Sequence, residues 1–318
     1  MGHDKLRKFA ENETFSCLLQ PSAQELLADG YFHLRDHAVK GRWGERFAQD
    51  APIVLELGCG KGEYTIALAE RDPARNYVGV DIKGARLWKG AKYATEHRLP
   101  NVAFLRTRVE FITAFFAPGE VSEVWLTFSD PQYRSENSRL CSPLFLERYR
   151  SFMKPGGIVH LKTDSRFLHE YALAVCRVNG LRILARTTDL YGSTPRSKGS
   201  ARQNFASLIP PTAPQRVPPV HEATGGHGFA GQTLADASLS EGIQPVVREV
   251  QTFYERLFLE QGYPITYLSF VIDHEGPFVS PKDPEEFDTK AWRAAEGPRL
   301  LFGHDSAETR RQKMKGRE

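Results

Sequence analysis

The chain has 318 residues, 41% of them hydrophobic, so it can bury the core of one sizeable domain or of two small ones. The formal net charge of only +3 excludes a uniformly basic surface, so a nucleic-acid partner would have to be attracted by local patches. No apolar run approaches the roughly 20 residues of a membrane span, and the charged start (MGHDKLRK) lacks the apolar stretch of a signal peptide. Four widely spaced cysteines predict reduced thiols in a cytoplasmic protein without a metal site.

Residues 1–50 show no sustained periodicity. Within them, residues 40–47 (KGRWGERF) interleave charges with two aromatic residues, a composition that suits either a nucleic-acid contact or packing on a core. We therefore predict an N-terminal extension that packs on or near the main domain, with a nucleic-acid clamp as the alternative.

Residues 53–62 (IVLELGCGKG) predict a short strand that runs into a turn with three glycines, and a helical pattern follows from Tyr64. This order opens a doubly wound α/β domain, in which the ligand lies at the carboxyl ends of the strands. A dinucleotide fingerprint would require a third glycine at Glu63, and no Walker loop is present. The pattern E-x-G-x-G-x-G resembles motif I of class I S-adenosylmethionine-dependent methyltransferases.

The segment that follows alternates strand and helix patterns up to residue 192. Further strands are predicted at 76–80, 102–105, 124–129, 158–162 and 181–185, and helices at 84–97, around 111–116, at 143–153 and at 168–178. Helix-length crossovers imply parallel strands with helices on both faces. Polar residues stand at five of the predicted strand ends, where an open sheet forms its ligand crevice: Glu56, Asp81, Thr107, Asp130 and Asp164.

Composition changes at residue 193, where Pro, Gly, Ser, Ala and Thr become frequent, and this predicts a flexible insertion over 193–247. A helix is predicted at 248–260 and a last strand at 265–272, whereas residues 273–318 are interpreted as a charged tail. The predicted domains are therefore an extension at 1–50, a methyltransferase domain at 51–272 that contains the insertion, and a tail at 273–318.

Several motifs together resemble the bacterial tRNA (guanine-N7-)-methyltransferase family. They are residues 8–15 (KFAENETF), 55–62 (LELGCGKG), 79–84 (GVDIKG), 101–110 (NVAFLRTRVE), 127–132 (TFSDPQ), 160–165 (HLKTDS) and 252–255 (TFYE). The resemblance implies a Rossmann-like class I methyltransferase fold, with a mostly parallel seven-stranded sheet and an antiparallel last strand. It also implies methyl transfer from S-adenosylmethionine to N7 of a tRNA guanine, expected in the variable loop.

The resemblance assigns roles to individual residues. Asp130 is the expected catalytic residue. The expected cofactor-binding residues are Glu56, Gly58, Gly60, Gly62, Asp81, Thr107, Arg108 and Asp130. The expected substrate-binding residues are Arg134, Asp164, Thr252, Phe253, Tyr254 and Glu255. The chain departs from the family at Thr107, where Asp is frequent, at Ser129, where Pro is usual, and in its long insertion.

The partner implied is tRNA, bound by a monomer or a homodimer. The predicted phosphate contacts are Arg108, Arg134, Arg139, Lys162 and the basic residues of 310–318. Two other functions stay open: methylation of an exocyclic amine, because residues 129–133 (SDPQY) are similar to a motif of those enzymes, and RNA binding without catalysis on the same fold.

Overall fold

The computed structural model describes residues 3–27, 33–192 and 242–297, and eight strands in this part of the chain form one sheet. The strands are β1 (Leu18–Leu19), β2 (Ile53–Leu57), β3 (Asn76–Asp81), β4 (Val102–Arg106), β5 (Val121–Thr127), β6 (Met153–Thr163), β7 (Ile183–Thr187) and β8 (Thr266–Val271). Their order is β1-β4-β3-β2-β5-β6-β8-β7. The strands β1 to β6 are parallel to one another, and β8 is antiparallel to both β6 and β7. The predicted α/β fold and antiparallel last strand are confirmed.

The described helices are α1 (His3–Asn12), α2 (Ala23–Leu26), α3 (Glu63–Arg71), α4 (Gly84–Glu96), α5 (Pro143–Arg150), α6 (Arg166–Val178), α7 (Pro245–Glu249), α8 (Phe253–Glu260) and α9 (Thr289–Glu296). They cover both faces of the sheet. Alternate strand residues point to opposite faces. Leu55 and Val78 belong to a core shared with α5 and α6, whereas Val54 and Tyr77 belong to a core shared with α3 and α4. None of the helices in the described ranges is long and apolar enough to span a membrane.

The N-terminal segment supplies the eighth strand, which the prediction of seven strands missed. Only two residues of β1 pair with β4, and so short a pairing leaves no alternating pattern in the sequence. The helix α1 packs on α4, and the Asn12 amide donates a 3.0 Å hydrogen bond to the Gly84 carbonyl. Trp43 is fully buried and donates to the Phe115 carbonyl at 2.8 Å. Residues 40–47 thus contribute a core tryptophan.

Three predicted elements differ from those observed. Residues 154–157, predicted to stop a helix, lie inside β6, and the apolar segment after Arg108 forms a 3₁₀-helix, Val109–Ala114. The predicted helix at 248–260 is two helices, because Thr252 adopts an extended backbone and caps the second one.

Residues 273–297 pack against the core, although the sequence suggested a tail from residue 273. Phe278 and Phe287 are buried, and Phe287 makes edge contacts with Phe167 and Tyr171 of α6 at ring distances of 5.3 and 5.4 Å. The polar composition hides this packing because only a few aromatic residues carry it. The basic end at 310–318 and residues 193–241 of the predicted insertion lie outside the described residues.

Candidate active site

The turn after β2 has the backbone that its glycines predict. Gly58, Gly60 and Gly62 have φ values of 78°, 59° and 71°, a region that residues with a side chain rarely adopt. A Cβ atom at Gly62 would lie 2.5 Å from the Phe104 ring, whereas at Gly58 and Gly60 it would meet no described atom within 4 Å. Gly62 therefore permits close internal packing, and the other two glycines present bare backbone to the crevice.

Asp81 joins the end of β3 to this turn. One carboxylate oxygen accepts the Gly60 N–H at 3.0 Å, and the other accepts the Lys83 N–H at 2.7 Å. The side chain is buried, with 7% of its surface exposed. The structure thus places this predicted cofactor residue directly beside the glycine turn.

Glu56 lies beneath the turn, and its carboxylate is engaged inside the fold. It accepts the Thr65 N–H at 2.8 Å and the hydroxyl groups of Thr65 and Thr127. Burial raises the pKa of Glu56 from 4.5 to about 7, against the opposing effect of these hydrogen bonds. Glu56 therefore links β2 and β5 to the first turn of α3 and supports the turn from below.

We expect Glu56→Gln to remove a pH dependence of stability between about pH 4.5 and pH 7. The folded pKa is raised, so the stabilisation is complete below pH 4.5 and is lost as the pH rises through about 7. At about 1.4 kcal/mol per pKa unit, ionisation of Glu56 costs the fold about 3 kcal/mol. The free energy of urea unfolding, measured from pH 5 to pH 8, should therefore fall in the wild type relative to the variant. The control is Glu285→Gln at an exposed position, whose curve of unfolding free energy against pH should run parallel to that of the wild type. A parallel curve for Glu56→Gln as well would contradict the buried, protonated state of Glu56.

Asp130 lies in a sharply turned loop after β5. Phe128 and Gln132 on either side of it have φ values of 51° and 47°, and Asp130 Oδ1 accepts the Gln132 N–H at 2.9 Å. Pro131 is buried, whereas Asp130 is exposed. The loop is anchored to β6 because the Phe128 N–H donates to the Lys162 carbonyl at 2.8 Å. These contacts fix the loop that carries Asp130 at the carboxyl end of β5.

The sheet topology brings the predicted strand-end residues to one edge. The strands β4, β3, β2, β5 and β6 are consecutive parallel neighbours, so their carboxyl ends lie side by side. Thr107, which is buried, follows β4, and Asp164, which is half-buried, follows β6. Asp81 ends β3, and Asp130 lies in the loop after β5, which is two strands away in the sheet.

The four residues of the TFYE segment divide into two that are engaged in the fold and two that are exposed. Thr252 caps α8 and Glu255 completes the capping box. Glu255 is fully buried, forms a 2.8 Å ion pair with Lys162 and accepts the Tyr191 hydroxyl at 2.6 Å. Phe253 and Tyr254 are 44% and 40% exposed. In the structure, therefore, only the two aromatic side chains of this segment face solvent.

Phe253 and Tyr254 lie beside the glycine turn. Lys61 Nζ is 4.9 Å from the Phe253 ring centroid and 5.9 Å from that of Tyr254. Glu63 also accepts the Phe253 N–H at 2.9 Å. Sequence reasoning did not single out Lys61 or Glu63, although both lie in or next to the glycine motif. These contacts attach α8 to the predicted cofactor turn.

Two predicted phosphate contacts are wrong. Lys162 is fully buried and donates to Glu255 and to the Val247 and Val250 carbonyls. Arg139 is 3% exposed, and its guanidinium lies 4.8 and 4.3 Å from the ring centroids of Phe167 and Tyr171. Both cations are enclosed by side chains that are distant in sequence, which no local pattern reveals.

Two further predicted cations lie in the described part of the chain, and both are exposed, at the loops that follow β4 and β5. Arg108 pairs with Glu110 at 3.4 Å, and Arg134 lies four residues beyond Asp130. Both therefore stay predicted contacts with an anionic partner.

Two cavities in the described part of the chain lie at the opposite edge of the sheet. One, of about 470 Å³, is lined by residues that precede the strands, including Gln49, Pro73 and Asn101. The other, of about 380 Å³, lies next to it and includes Arg46 and Pro100. Neither is lined by a predicted site residue. The candidate site is taken as the crevice at the carboxyl edge because the predicted strand-end residues lie there.

Comparison with known proteins agrees with the motifs. The family model described as "Putative methyltransferase" matches residues 50–200. The tRNA (guanine-N(7)-)-methyltransferase of Christiangramia forsetii is 43% identical over 272 residues, which cover 85% of this chain and 98% of the relative. The enzyme of the same name from Bacteroides thetaiotaomicron is 38% identical, over 91% of this chain and 93% of the relative.

The chain is also similar to a solved structure, that of the 16S rRNA methyltransferase KamB. The two are 14% identical, with a TM-score of 0.47 over 76% of this chain and 97% of that one. The family assignment depends instead on the relatives that match this chain along nearly their whole length. They confirm the resemblance inferred from the motifs, and the chain belongs to the tRNA (guanine-N7-)-methyltransferase family.

Proposed function

We propose that this protein transfers a methyl group from S-adenosylmethionine to N7 of a guanine in tRNA. The observation that carries the proposal is the arrangement at the carboxyl edge of the sheet. The glycine turn follows β2 and is hydrogen-bonded to Asp81 at the end of β3, and the exposed Asp130 follows β5, the other neighbour of β2. The relatives from Christiangramia forsetii and Bacteroides thetaiotaomicron, each matching most of this chain, carry the name of this activity.

The residues of the crevice fit S-adenosylmethionine. The backbone at Gly58 and Gly60 is open, which allows close approach of a ligand, and Asp81 offers the carboxylate that suits a ribose diol. Glu56 supports the turn from within, and Thr107 and Arg108 stand at the adjacent strand end. When bound, the cofactor supplies an electrophilic methyl group on a sulfonium.

Asp130 is proposed as the catalytic group. Guanine N7 carries an in-plane lone pair outside the aromatic π system, so no proton has to be removed before methylation and no general base is required. A positive charge develops on the purine, and a carboxylate held in place by its surroundings favours that charge. The same carboxylate suits the N1–H and amino group of guanine as hydrogen-bond donors. Asp164, half-buried at the end of the neighbouring strand, is proposed to bind the substrate beside it.

Phe253 and Tyr254 are proposed to contact the RNA, and Arg108 and Arg134 to contact its phosphates. Single-stranded or flipped-out bases stack on exposed aromatic rings. The Phe253 and Tyr254 rings form an edge-on pair with centroids 5.7 Å apart next to Lys61, a cation that suits a phosphate. Thr252 and Glu255 are proposed to act by holding this pair in place.

Incubating the protein with labelled S-adenosylmethionine and an unmodified tRNA transcript tests the proposal. Nucleoside mass spectrometry should identify N7-methylguanosine as the labelled product. Label on an exocyclic amine would favour the alternative enzyme class. Binding of tRNA without any transfer, under conditions where a relative is active, would favour a non-catalytic RNA-binding protein.

The variant with both Phe253→Ala and Tyr254→Ala should lose tRNA recognition. Stacking on an aromatic side chain contributes about 1–3 kcal/mol per base, so we expect kcat/KM for tRNA to fall at least about tenfold. The dissociation constant for S-adenosylmethionine should change little. Tyr93→Ala is the matched control, because Tyr93 is also an exposed aromatic residue (36%) but lies near the C-terminal end of α4. An equal loss in the control would contradict the stacking role.

A further inference from the structure

The carboxylate of Glu296, the last residue of α9, is contacted by two elements that follow the candidate site residues. It accepts the Ser165 hydroxyl at 2.8 and 3.1 Å and the Phe167 N–H at 2.6 Å. It also accepts the Tyr133 hydroxyl at 2.9 Å. One carboxylate from the C-terminal segment therefore joins the loop after β5 to the start of α6.

These contacts are close in sequence to the two site carboxylates. Tyr133 is three residues beyond Asp130, and Ser165 immediately follows Asp164. Ser165 is the N-cap of α6, and its hydroxyl oxygen accepts the Leu168 N–H at 3.1 Å. A carboxylate is favoured at this position because the N-terminal end of a helix carries unpaired N–H groups and a positive dipole end.

Aromatic packing gives this arrangement a fixed geometry. The Tyr133 ring makes an edge contact with Phe167 at 4.9 Å, and Phe167 in turn contacts Phe287 at 5.3 Å. Phe287 is buried in the segment that leads to α9. The loop with Asp130, the N-terminal end of α6 and α9 thus pack as a unit, and Glu296 provides hydrogen bonds at its centre.

We propose that Glu296 is a positioning residue for methyl transfer, acting through Tyr133 on Asp130 and through Ser165 on Asp164. The inference rests on the proposed function, since it assigns a role in that reaction to the C-terminal segment. Glu296 is 163 positions from Tyr133, which explains why no local motif reveals it.

Four variants test the inference: Glu296→Ala, Glu296→Gln, Tyr133→Phe and the combination of Glu296→Ala with Tyr133→Phe. Because small displacements of reacting groups are costly, Glu296→Ala should lower kcat by about 10- to 100-fold. Glu296→Gln, which keeps one acceptor oxygen, should lose less. The dissociation constant for S-adenosylmethionine should stay within about twofold of the wild type, because Tyr133, Ser165 and Phe167, which Glu296 contacts, lie outside the glycine turn. Glu285→Gln, the same change at an exposed site of this segment, is the control.

The combined variant separates positioning from general destabilisation. If Tyr133 and Glu296 act through one contact, the second change adds little to the loss in kcat. Additive losses, or wild-type kcat in folded Glu296→Ala, would overturn the inference.

Hydrogen exchange provides a readout that does not depend on activity. The amides of Gln132, Ser135 and Arg139 make hydrogen bonds within the loop and should exchange faster in Glu296→Ala than in the control. Unchanged exchange would also overturn the inference. If the wild type transfers no methyl group, the proposed function fails, and hydrogen exchange still decides whether Glu296 positions this loop.

Discussion

Asp130→Asn is expected to lower the rate of methyl transfer to tRNA by at least about 100-fold, the loss typical when a group that stabilises transition-state charge is removed. Binding of S-adenosylmethionine, measured by calorimetry, should persist. The reason is that the variant removes the negative charge while it keeps an oxygen that can accept the Gln132 N–H, now 2.9 Å from Oδ1. The turn should therefore keep its conformation, and the loss in transfer rate can be attributed to the missing negative charge.

The competing explanation is that Asp130 only caps the turn between Phe128 and Gln132. In that case asparagine should serve almost as well, since its side-chain oxygen is also a good acceptor in such turns. Near wild-type turnover of Asp130→Asn would therefore contradict the catalytic role. Asp50→Asn, at an exposed position before β2, controls for the loss of one surface charge.

The parts of the fold that follow local chemistry were predictable. The glycine turn has one strand before it and one helix after it, and its positive φ values require glycine. Parallel strands place their carboxyl ends together, so polar residues at predicted strand ends had to share an edge. For the same reason the sequence led to Asp81 and Asp130 without any knowledge of packing.

The errors arise where residues distant in the sequence come together. Lys162 ends a strand and looked like an exposed cation, but residues 247–255 cover it. Glu255 looked like a ligand-binding carboxylate, whereas it is the partner of that lysine. The C-terminal segment looked like a tail because its few aromatic residues have no period, although Phe287 packs on α6. Pairings of this kind are set by the tertiary fold.

The buried pair of Lys162 and Glu255 leads to the largest expected effect on stability. Both side chains are fully buried, with a 2.8 Å contact. Burial lowers the pKa of Lys162, and the charge of Glu255 opposes this effect. Removing one partner leaves the other charge buried alone, so Glu255→Gln should lower the free energy of unfolding by about 3–5 kcal/mol. Urea unfolding followed by circular dichroism measures this loss.

The sign of the pH dependence provides a second test of the same pair. Without Glu255 the folded pKa of Lys162 should fall further below its ordinary value of 10.5, so the folded state binds fewer protons than the unfolded state. The stability of Glu255→Gln should therefore rise towards that of the wild type as the pH approaches 10.5. The surface pair of the half-buried Lys40 and the exposed Asp36 is the control, and Asp36→Asn should cost less than about 1 kcal/mol. Equal losses in Glu255→Gln and Asp36→Asn would contradict the argument.

The double variant Lys162→Met with Glu255→Gln separates two roles of the pair, its effect on stability and its effect on the position of Phe253 and Tyr254. It removes both charges, so it should be more stable than the sum of the single losses indicates, as expected for a coupled pair. Nevertheless, Lys162 also donates to the Val247 and Val250 carbonyls, at 2.7 and 2.8 Å, and thereby fixes the chain that leads to Phe253 and Tyr254. Because methionine donates no hydrogen bond, tRNA recognition should stay impaired after part of the stability returns. Recovery of both properties together would show that the pair contributes only to stability and does not place the aromatic residues.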